Sequence, residues 1–163
     1  DGHAYSTRFI PVGHIGDARM RISIEGARDP RDLMDDGRAA RERLSPVLSL
    51  NQLSGMTVVV NVFDGGPRTK VSCEVIGGDG ARHADAPPAI EMQHRSACDP
   101  FTVETFCRHK SELKPWVEPS VASHIWMAAL PRSLCTGSYR LLVTVDAEYG
   151  NRYSGNMLLE VIG

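Results

Sequence analysis

The stretch Met56-Thr-Val-Val-Val-Asn-Val-Phe-Asp64 has the strongest strand-forming pattern in the chain. Its valines occupy both faces of an extended segment, which is typical of a strand that is buried on both sides. We therefore predict that it is central in a sheet. A turn signal, Asp64-Gly-Gly-Pro67, follows it, and residues 69–76 then alternate apolar and polar side chains. This order predicts that the two segments pair as a β-hairpin.

Alternating patterns predict further strands on either side of this stretch. They cover residues 5–9, 18–24, 89–94, 137–145 and 152–162. The last two are joined by the turn Glu148-Tyr-Gly-Asn151 and predict a final hairpin.

Helical signals are few. Asp99 as N-cap and Pro100 at the first helical position predict a helix over residues 99–113. Residues 38–44 could add one or two helical turns. Seven or so short strands without a long helix predict an all-β fold. The expected architecture is an antiparallel β-sandwich, immunoglobulin-like, with long irregular connections and one or two short helices.

Length and composition limit the classes of function. The 163 residues are expected to form one domain over 1–163. A net charge of −2 gives no basic surface for nucleic acid. No apolar run approaches the roughly 20 residues that a membrane span needs. The chain begins at Asp1 without an initiator methionine, which is typical of a processed chain or an excised domain.

The chain has four cysteines and no C-x-x-C pair. This spacing argues against a zinc knuckle or a redox motif. Cys73 lies in an apolar strand pattern, so we expect it in the core. Cys98 and Cys107 flank one short segment and could form a disulfide, although four cysteines allow three connectivities.

Several local patterns occur together, in an order that resembles the C-terminal domain of bacterial calcineurin-like phosphoesterases. The patterns are Asp1-Gly2, residues 5–11, Val59-Val-Asn-Val-Phe-Asp-Gly-Gly-Pro67, Asp99-Pro100, Lys114-Pro-Trp-Val-Glu-Pro119, Ser123-His-Ile-Trp126, Ala129-Leu-Pro131, Gly137-Ser-Tyr139 and Val145-Asp-Ala-Glu-Tyr-Gly150. The resemblance covers nearly the whole chain.

The resemblance implies an accessory β-sandwich domain in a larger protein. In that family a catalytic domain with two metal ions hydrolyses phosphate esters, and the C-terminal domain follows it. The metal-ligand motifs of the catalytic domain are missing here as a set, so we predict no catalytic residue and no metal ligand in this chain. Divalent metals are expected only in the parent's catalytic domain, which would be this chain's partner. The parent is expected to be periplasmic or secreted, and a homo-oligomer is compatible with the resemblance.

The stretch from Lys114 to Pro131 holds both tryptophans of the chain. We predict that Trp116, Glu118, His124 and Trp126 contact the catalytic domain or its substrate cleft. The structural alternative is that Trp126 fills the core and His124 bonds a backbone carbonyl. An alternative function is a free-standing carbohydrate- or protein-binding module, with Trp116 and Trp126 as stacking platforms.

Overall fold

The structure is a computed structural model that describes residues 19–25, 47–78 and 89–163. Its strands are β1 (Met20–Glu25), β2 (Val47–Ser49), β3 (Thr57–Val62), β4 (Lys70–Gly77), β5 (Ile90–Glu91), β6 (Gln93–Ala97), β7 (Ala122–Ala129), β8 (Gly137–Asp146) and β9 (Arg152–Ile162). One α-helix, α1 (Pro100–Arg108), and a 3₁₀ turn over Leu50–Gln52 complete these ranges. The all-β class is confirmed, and the immunoglobulin-like topology stays a prediction. The strand expected over residues 5–9 and the helical turns expected over 38–44 lie outside the described residues.

The strands form two sheets. The first sheet has the order β1-β3-β7-β6, and the second has the order β2-β9-β8-β4-β5. The β2–β9 pair is parallel, and the other described pairs are antiparallel. β3 lies between β1 and β7, and its residues from Val58 to Val62 are buried. The prediction of a central valine-rich strand is therefore confirmed.

The predicted hairpin between β3 and β4 is wrong. β3 pairs with β1 and β7, whereas β4 pairs with β5 and β8 in the second sheet. The turn at residues 63–69 therefore carries the chain from one sheet to the other. Alternation shows which face of a strand is buried, but two strands that face one core from opposite sheets have the same pattern as two neighbours in one sheet.

The strand predicted over residues 89–94 divides between the two sheets at Met92. β5 pairs with β4 in the second sheet, and β6 pairs with β7 in the first. Met92 lies at the junction with its side chain buried, and its N–H donates to the carbonyl of Val71 (2.9 Å). One short segment therefore belongs to both sheets.

The core is formed by side chains from both sheets. The first sheet contributes Val58, Val60, Val62 and Trp126. The second sheet contributes Leu48, Val71, Cys73, Val75, Leu141, Val143, Val145, Leu159 and Val161. The predicted core position of Cys73 and the predicted final hairpin β8–β9 are both confirmed.

The helix begins as predicted and ends earlier. Asp99 is the N-cap, and its carboxylate accepts from the N–H of Phe101 (2.9 Å). α1 ends at Arg108, and turns follow it as far as residue 112. Residues 109–121, which we call the connector, then lead into β7. The connector and β7 together include the tryptophan-rich stretch singled out in the sequence.

Candidate functional site

The four predicted contact residues lie in two different environments. His124 and Trp126 belong to β7, where alternation places them on the same face of the strand. Trp116 and Glu118 lie in the connector, and both are exposed. Trp126 is buried, so the four side chains do not form one accessible site.

Trp126 is part of the core. Its side chain is 1% exposed, and its six-membered ring packs against Gly65 in the turn between β3 and β4. The imidazole of His94 lies across it on the neighbouring strand, with ring centroids 4.7 Å apart. A ring enclosed in this way holds the two sheets together and has no free face on which a ligand could stack.

A histidine does bond a backbone carbonyl beside Trp126, but it is His94 rather than His124. The Nε2–H of His94 donates to the carbonyl of Ser123 (2.6 Å). This bond fixes the His94 ring against Trp126 at the edge strand β6. His124 is half-buried at the start of β7.

Trp116 is the large apolar side chain that the connector presents to solvent. It is 74% exposed. The Nζ atom of Lys114 lies 5.2 Å from the centroid of its ring, which is within the range of a cation–π contact. The N–H of Val117 donates to the carbonyl of Lys114 (3.0 Å), so the backbone turns tightly at the tryptophan.

The connector is attached to the sheet beside the start of α1. The Sγ of Cys98 donates weakly to the carbonyl of Pro119 (3.9 Å), and Ala122 pairs with Ala97 where β7 begins. Phe101 and Val121 are exposed in this neighbourhood. We call Phe101, Trp116, Val117 and Val121 together the connector surface.

Asp99 fixes this region to the first sheet. Besides capping α1, its carboxylate accepts from Nη1 of Arg21 (2.7 Å) and from Nδ2 of Asn61 (2.5 Å). Arg21 and Asn61 are direct neighbours on β1 and β3. The guanidinium of Arg21 also lies 3.9 Å from the centroid of the exposed Phe101 ring. One buried carboxylate therefore orients the helix and the aromatic ring at its start.

Sequence reasoning found the N-cap but missed the rest of this cluster. Arg21 and Asn61 each alternate with apolar neighbours in strands, and a polar residue at such a position usually faces solvent. Asn61 is instead buried, and its Oδ1 has no hydrogen-bond partner among the described residues. A polar residue inside the run Val58–Val62 was the one signal that could have pointed to it.

A shallow groove of about 470 Å³ lies between the starts of β1 and β9. Arg19, Arg152 and Tyr153 are among its lining residues. These polar groups already have partners: the hydroxyl of Tyr153 donates to Asp64 (2.5 Å), Arg19 stacks on the Tyr153 ring, and Arg152 pairs with Asp146. Burial, followed by the bond to Asp64, raises the pKa of Tyr153. The groove therefore presents side chains engaged with one another rather than a free set of donors.

The cysteines do not form the disulfide considered from the sequence. All four are free thiols. Cys98 precedes the N-cap of the nine-residue helix α1, and Cys107 lies in its last turn. At about 1.5 Å per residue, that helix holds them much farther apart than the roughly 7 Å that a disulfide can span.

Two kinds of feature are absent from the described parts of the chain. There is no group of three or more His, Cys, Asp or Glu side chains arranged to hold a metal ion within residues 19–25, 47–78 and 89–163. In the same ranges, no helical segment has the length and apolar character of a membrane span.

Two solved structures that resemble the chain are distant from it in sequence. CopC from Methylosinus trichosporium is 13% identical, covering 64% of this chain and 74% of its own, with a TM-score of 0.38. A family 123 glycoside hydrolase from Clostridium perfringens, studied for glycolipid glycan hydrolysis, is 13% identical with a TM-score of 0.30. That match covers 88% of this chain but only 27% of the hydrolase. Neither likeness supports a statement about function.

No curated protein matches the chain. The family model described as the C terminal of calcineurin-like phosphoesterase, however, matches residues 1–153. This match covers almost the entire sequence and confirms the resemblance seen in its motifs. The chain belongs to the family of C-terminal domains of calcineurin-like phosphoesterases.

Proposed function

We propose that this chain is a single non-catalytic accessory domain of a metal-dependent phosphoesterase, and that its connector surface packs on the catalytic domain beside the substrate cleft. The observation that carries the proposal is the exposed ring of Trp116, in a family defined by its position at the C terminus of such enzymes. Exposed tryptophans that stand on an ordered backbone are typical anchors of protein interfaces.

The energetics favour a covered Trp116. A tryptophan side chain buries on the order of 150–250 Å² when it is enclosed. At about 25 cal/mol per Å², covering even the lower figure would stabilise a complex by about 4 kcal/mol before the costs of association. Phe101, Val117 and Val121 are exposed as well and would add apolar area to the docked interface.

The charges near the connector surface fit the rim of an interface. Lys114 stacks on the Trp116 ring, Arg21 stacks on Phe101, and Glu118 is exposed two residues after Trp116. Specific interfaces commonly have an aromatic and aliphatic centre with charged groups around it. Glu118 and Lys114 would then set the orientation of the docked domains more than the affinity.

In this proposal the chemistry belongs to the parent's catalytic domain. Divalent metals held there would activate water to hydrolyse a phosphate ester. The present chain would contribute a rigid wall next to the cleft and no metal ligand. The periplasmic or secreted location of the parent is part of the same proposal and rests on the resemblance to the family.

The test is oxidative footprinting of the whole phosphoesterase with hydroxyl radicals. We expect Trp116 to be protected, whereas Tyr149, which is 85% exposed on the turn between β8 and β9, should be oxidised rapidly. Equal oxidation of Trp116 and Tyr149 would show that the connector surface faces solvent in the complete enzyme and would overturn the proposal.

A pair of variants tests the consequence for activity. Trp116→Ala in the whole enzyme should loosen the domain contact and raise KM for a phosphate ester several-fold, because one wall of the cleft is displaced. Tyr149→Ala removes an equally exposed aromatic ring and should leave KM unchanged. An unchanged KM in Trp116→Ala would separate the connector surface from the substrate cleft.

The alternative of a free-standing carbohydrate- or protein-binding module has less support. It relied on two tryptophan platforms, and Trp126 is in the core. Trp116 would be the single remaining ring. Binding of a glycan to the chain, lost in Trp116→Ala and kept in Tyr149→Ala, would favour this module over the accessory domain.

A further inference from the structure

The outer face of the second sheet carries apolar side chains that have no cover among the described residues. Leu158 on β9 is 61% exposed, and Val47 and Ile162 are exposed near it. Leu159 and Val161 alternate with them along β9 and face the core. A sheet face that points to water is normally polar, so this row of apolar residues is unusual.

Two opposite charges flank Leu158 on this face. Arg140 lies directly across from Leu158 on β8. Glu160 follows two residues later on the same face of β9 and lies across from Val47 on β2. Both charged side chains are exposed, and neither forms an ion pair with another described residue. Arg140 and Glu160 are diagonal neighbours, about 7–8 Å apart at the backbone.

We propose that this face binds a second copy of the same chain about a twofold axis. The axis would lie in the plane where the two copies meet. It would be perpendicular to the line that joins Arg140 and Glu160 and would pass through the midpoint of that line. Rotation about it places Arg140 of one copy against Glu160 of the other, twice. The patch is therefore complementary to itself in charge.

The apolar positions agree with the same axis. Strands lie about 4.8 Å apart and alternate residues about 7 Å apart along a strand. With that spacing, the rotation brings Leu158 against Leu158 of the other copy, close to the axis. It also brings Val47 over Leu142, which is half-buried one strand away on β8. One symmetry operation therefore covers Leu158 and Val47 and pairs both charges.

The area is sufficient for a weak, specific dimer. β2, β9, β8 and β4 lie side by side, with 3, 11, 10 and 8 residues respectively. At about 3.4 Å per residue and about 4.8 Å per strand, they give a face on the order of 500 Å² per copy. The two copies together would bury about 1,000 Å², which is the least that a specific interface needs and is typical of a weak one. We expect micromolar dissociation constants.

The experiment is sedimentation equilibrium of the full-length protein over a range of concentrations, with charge reversals that distinguish this face from any other. Arg140→Glu and Glu160→Arg should each weaken the dimer at least about tenfold, because each places like charges together. The double variant R140E/E160R reverses both charges and should restore the dimer. Restoration by the double variant is the result that a reciprocal contact requires.

A second set of variants tests the apolar contact. Leu158→Asp should make the protein monomeric, while Tyr149→Asp, at an exposed position on the turn between β8 and β9, should leave the dimer intact. Circular dichroism checks that the variants are folded. If Leu158→Asp does not fold, the charge-reversal variants still test the dimer contact. The proposal would be overturned if the wild-type protein stays monomeric at concentrations up to about 100 micromolar. It would also be overturned if the dimer of the double variant is as weak as the dimers of the single variants. Failure of this dimer leaves the proposed contact of the connector surface with the catalytic domain unaffected, since that contact uses a different face.

Discussion

Gly65 and Trp126 are in direct contact across the two sheets. A Cβ atom on Gly65 would lie 2.6 Å from Cη2 and 2.8 Å from Cζ3 of the Trp126 ring, both closer than side-chain carbons approach. The turn between β3 and β4 therefore crosses from the first sheet to the second at a position where the indole leaves room only for a hydrogen atom.

Gly65→Ala should destabilise the protein by about 1–3 kcal/mol, because the added methyl group overpacks the ring. Urea unfolding measures the effect. In a Trp126→Phe background, which lacks the distal ring atoms, the same substitution should cost clearly less. The matched control is Gly163→Ala, where the new Cβ makes an ordinary 3.8 Å contact and should change stability by less than about 0.5 kcal/mol. If Gly65→Ala destabilised the wild type and Trp126→Phe equally, the contact between Gly65 and the Trp126 ring would be contradicted.

Asp99→Ala should cost about 3 kcal/mol, because it removes the cap of α1 and leaves Arg21 and Asn61 without their shared acceptor. Asp99→Asn keeps a capping oxygen and should cost less. Thermal or urea unfolding ranks the two variants. Glu112→Ala removes an exposed ion pair with His109 and should have an effect below about 0.5 kcal/mol. If Asp99→Asn destabilised the protein as much as Asp99→Ala or more, the negative charge of Asp99 would matter more for stability than its capping oxygen.

The two tryptophans should respond differently to a soluble quencher of fluorescence. Trp116 is exposed and Trp126 is enclosed, so acrylamide should quench one component of the emission readily and the other poorly. Trp116→Phe should remove the accessible component and shift the remaining emission to shorter wavelength. Accessible emission that persists in Trp116→Phe would show that the Trp126 ring opens to solvent.

Alkaline pH should weaken the fold through Cys73. Burial, assisted by the nearby charge of Glu74, raises the pKa of the thiol from 9.0 to about 12. The folded state then keeps a proton that the unfolded chain loses, so the stabilising contribution is complete below pH 9 and declines as the pH rises from 9 towards 12. The decline can reach about 1.4 kcal/mol per pH unit.

Urea unfolding between pH 8 and 10.5 checks this. The free energy of unfolding should fall more steeply with pH in the wild type than in Cys73→Ala, whatever the constant offset that the lost thiol causes. Burial also raises the pKa of Tyr153 in the same direction, but that group is present in both proteins and cancels in the comparison. Parallel pH profiles would mean that Cys73 ionises freely in the folded protein.

The sequence contained enough information for the local features of the fold. The valines from Val58 to Val62 identified a strand buried on both faces, and Asp99-Pro100 identified the start of α1, since a capping side chain and a preset φ act within one turn. The final hairpin β8–β9 followed from alternation and a short turn. Each of these features depends on residues close together in the chain.

The pairings between distant segments could not be predicted in the same way. Nothing local to residues 64–67 distinguishes a hairpin turn from a passage between sheets. β7 was missed as a strand because Pro119 and Pro131 dominate the pattern around it, although both lie just outside its ends. The site shows the same limit. The sequence did not distinguish the two tryptophans by burial, and the packing of Trp126 depends on the arrangement of β3, β7 and the 63–69 turn.

The passages between sheets have a consequence for how the chain folds. β3 cannot complete its pairing until β7 exists, more than 60 positions later, and β4 waits equally long for β8. Contacts between such distant segments slow folding, because a long loop must close before they form. During synthesis the valine-rich β3 would emerge early with β1 available for one edge, and its other edge would stay unpaired until β7 has left the ribosome. We therefore expect this domain to depend on chaperones more than its small size implies, and truncations before β7 to aggregate rather than fold in part.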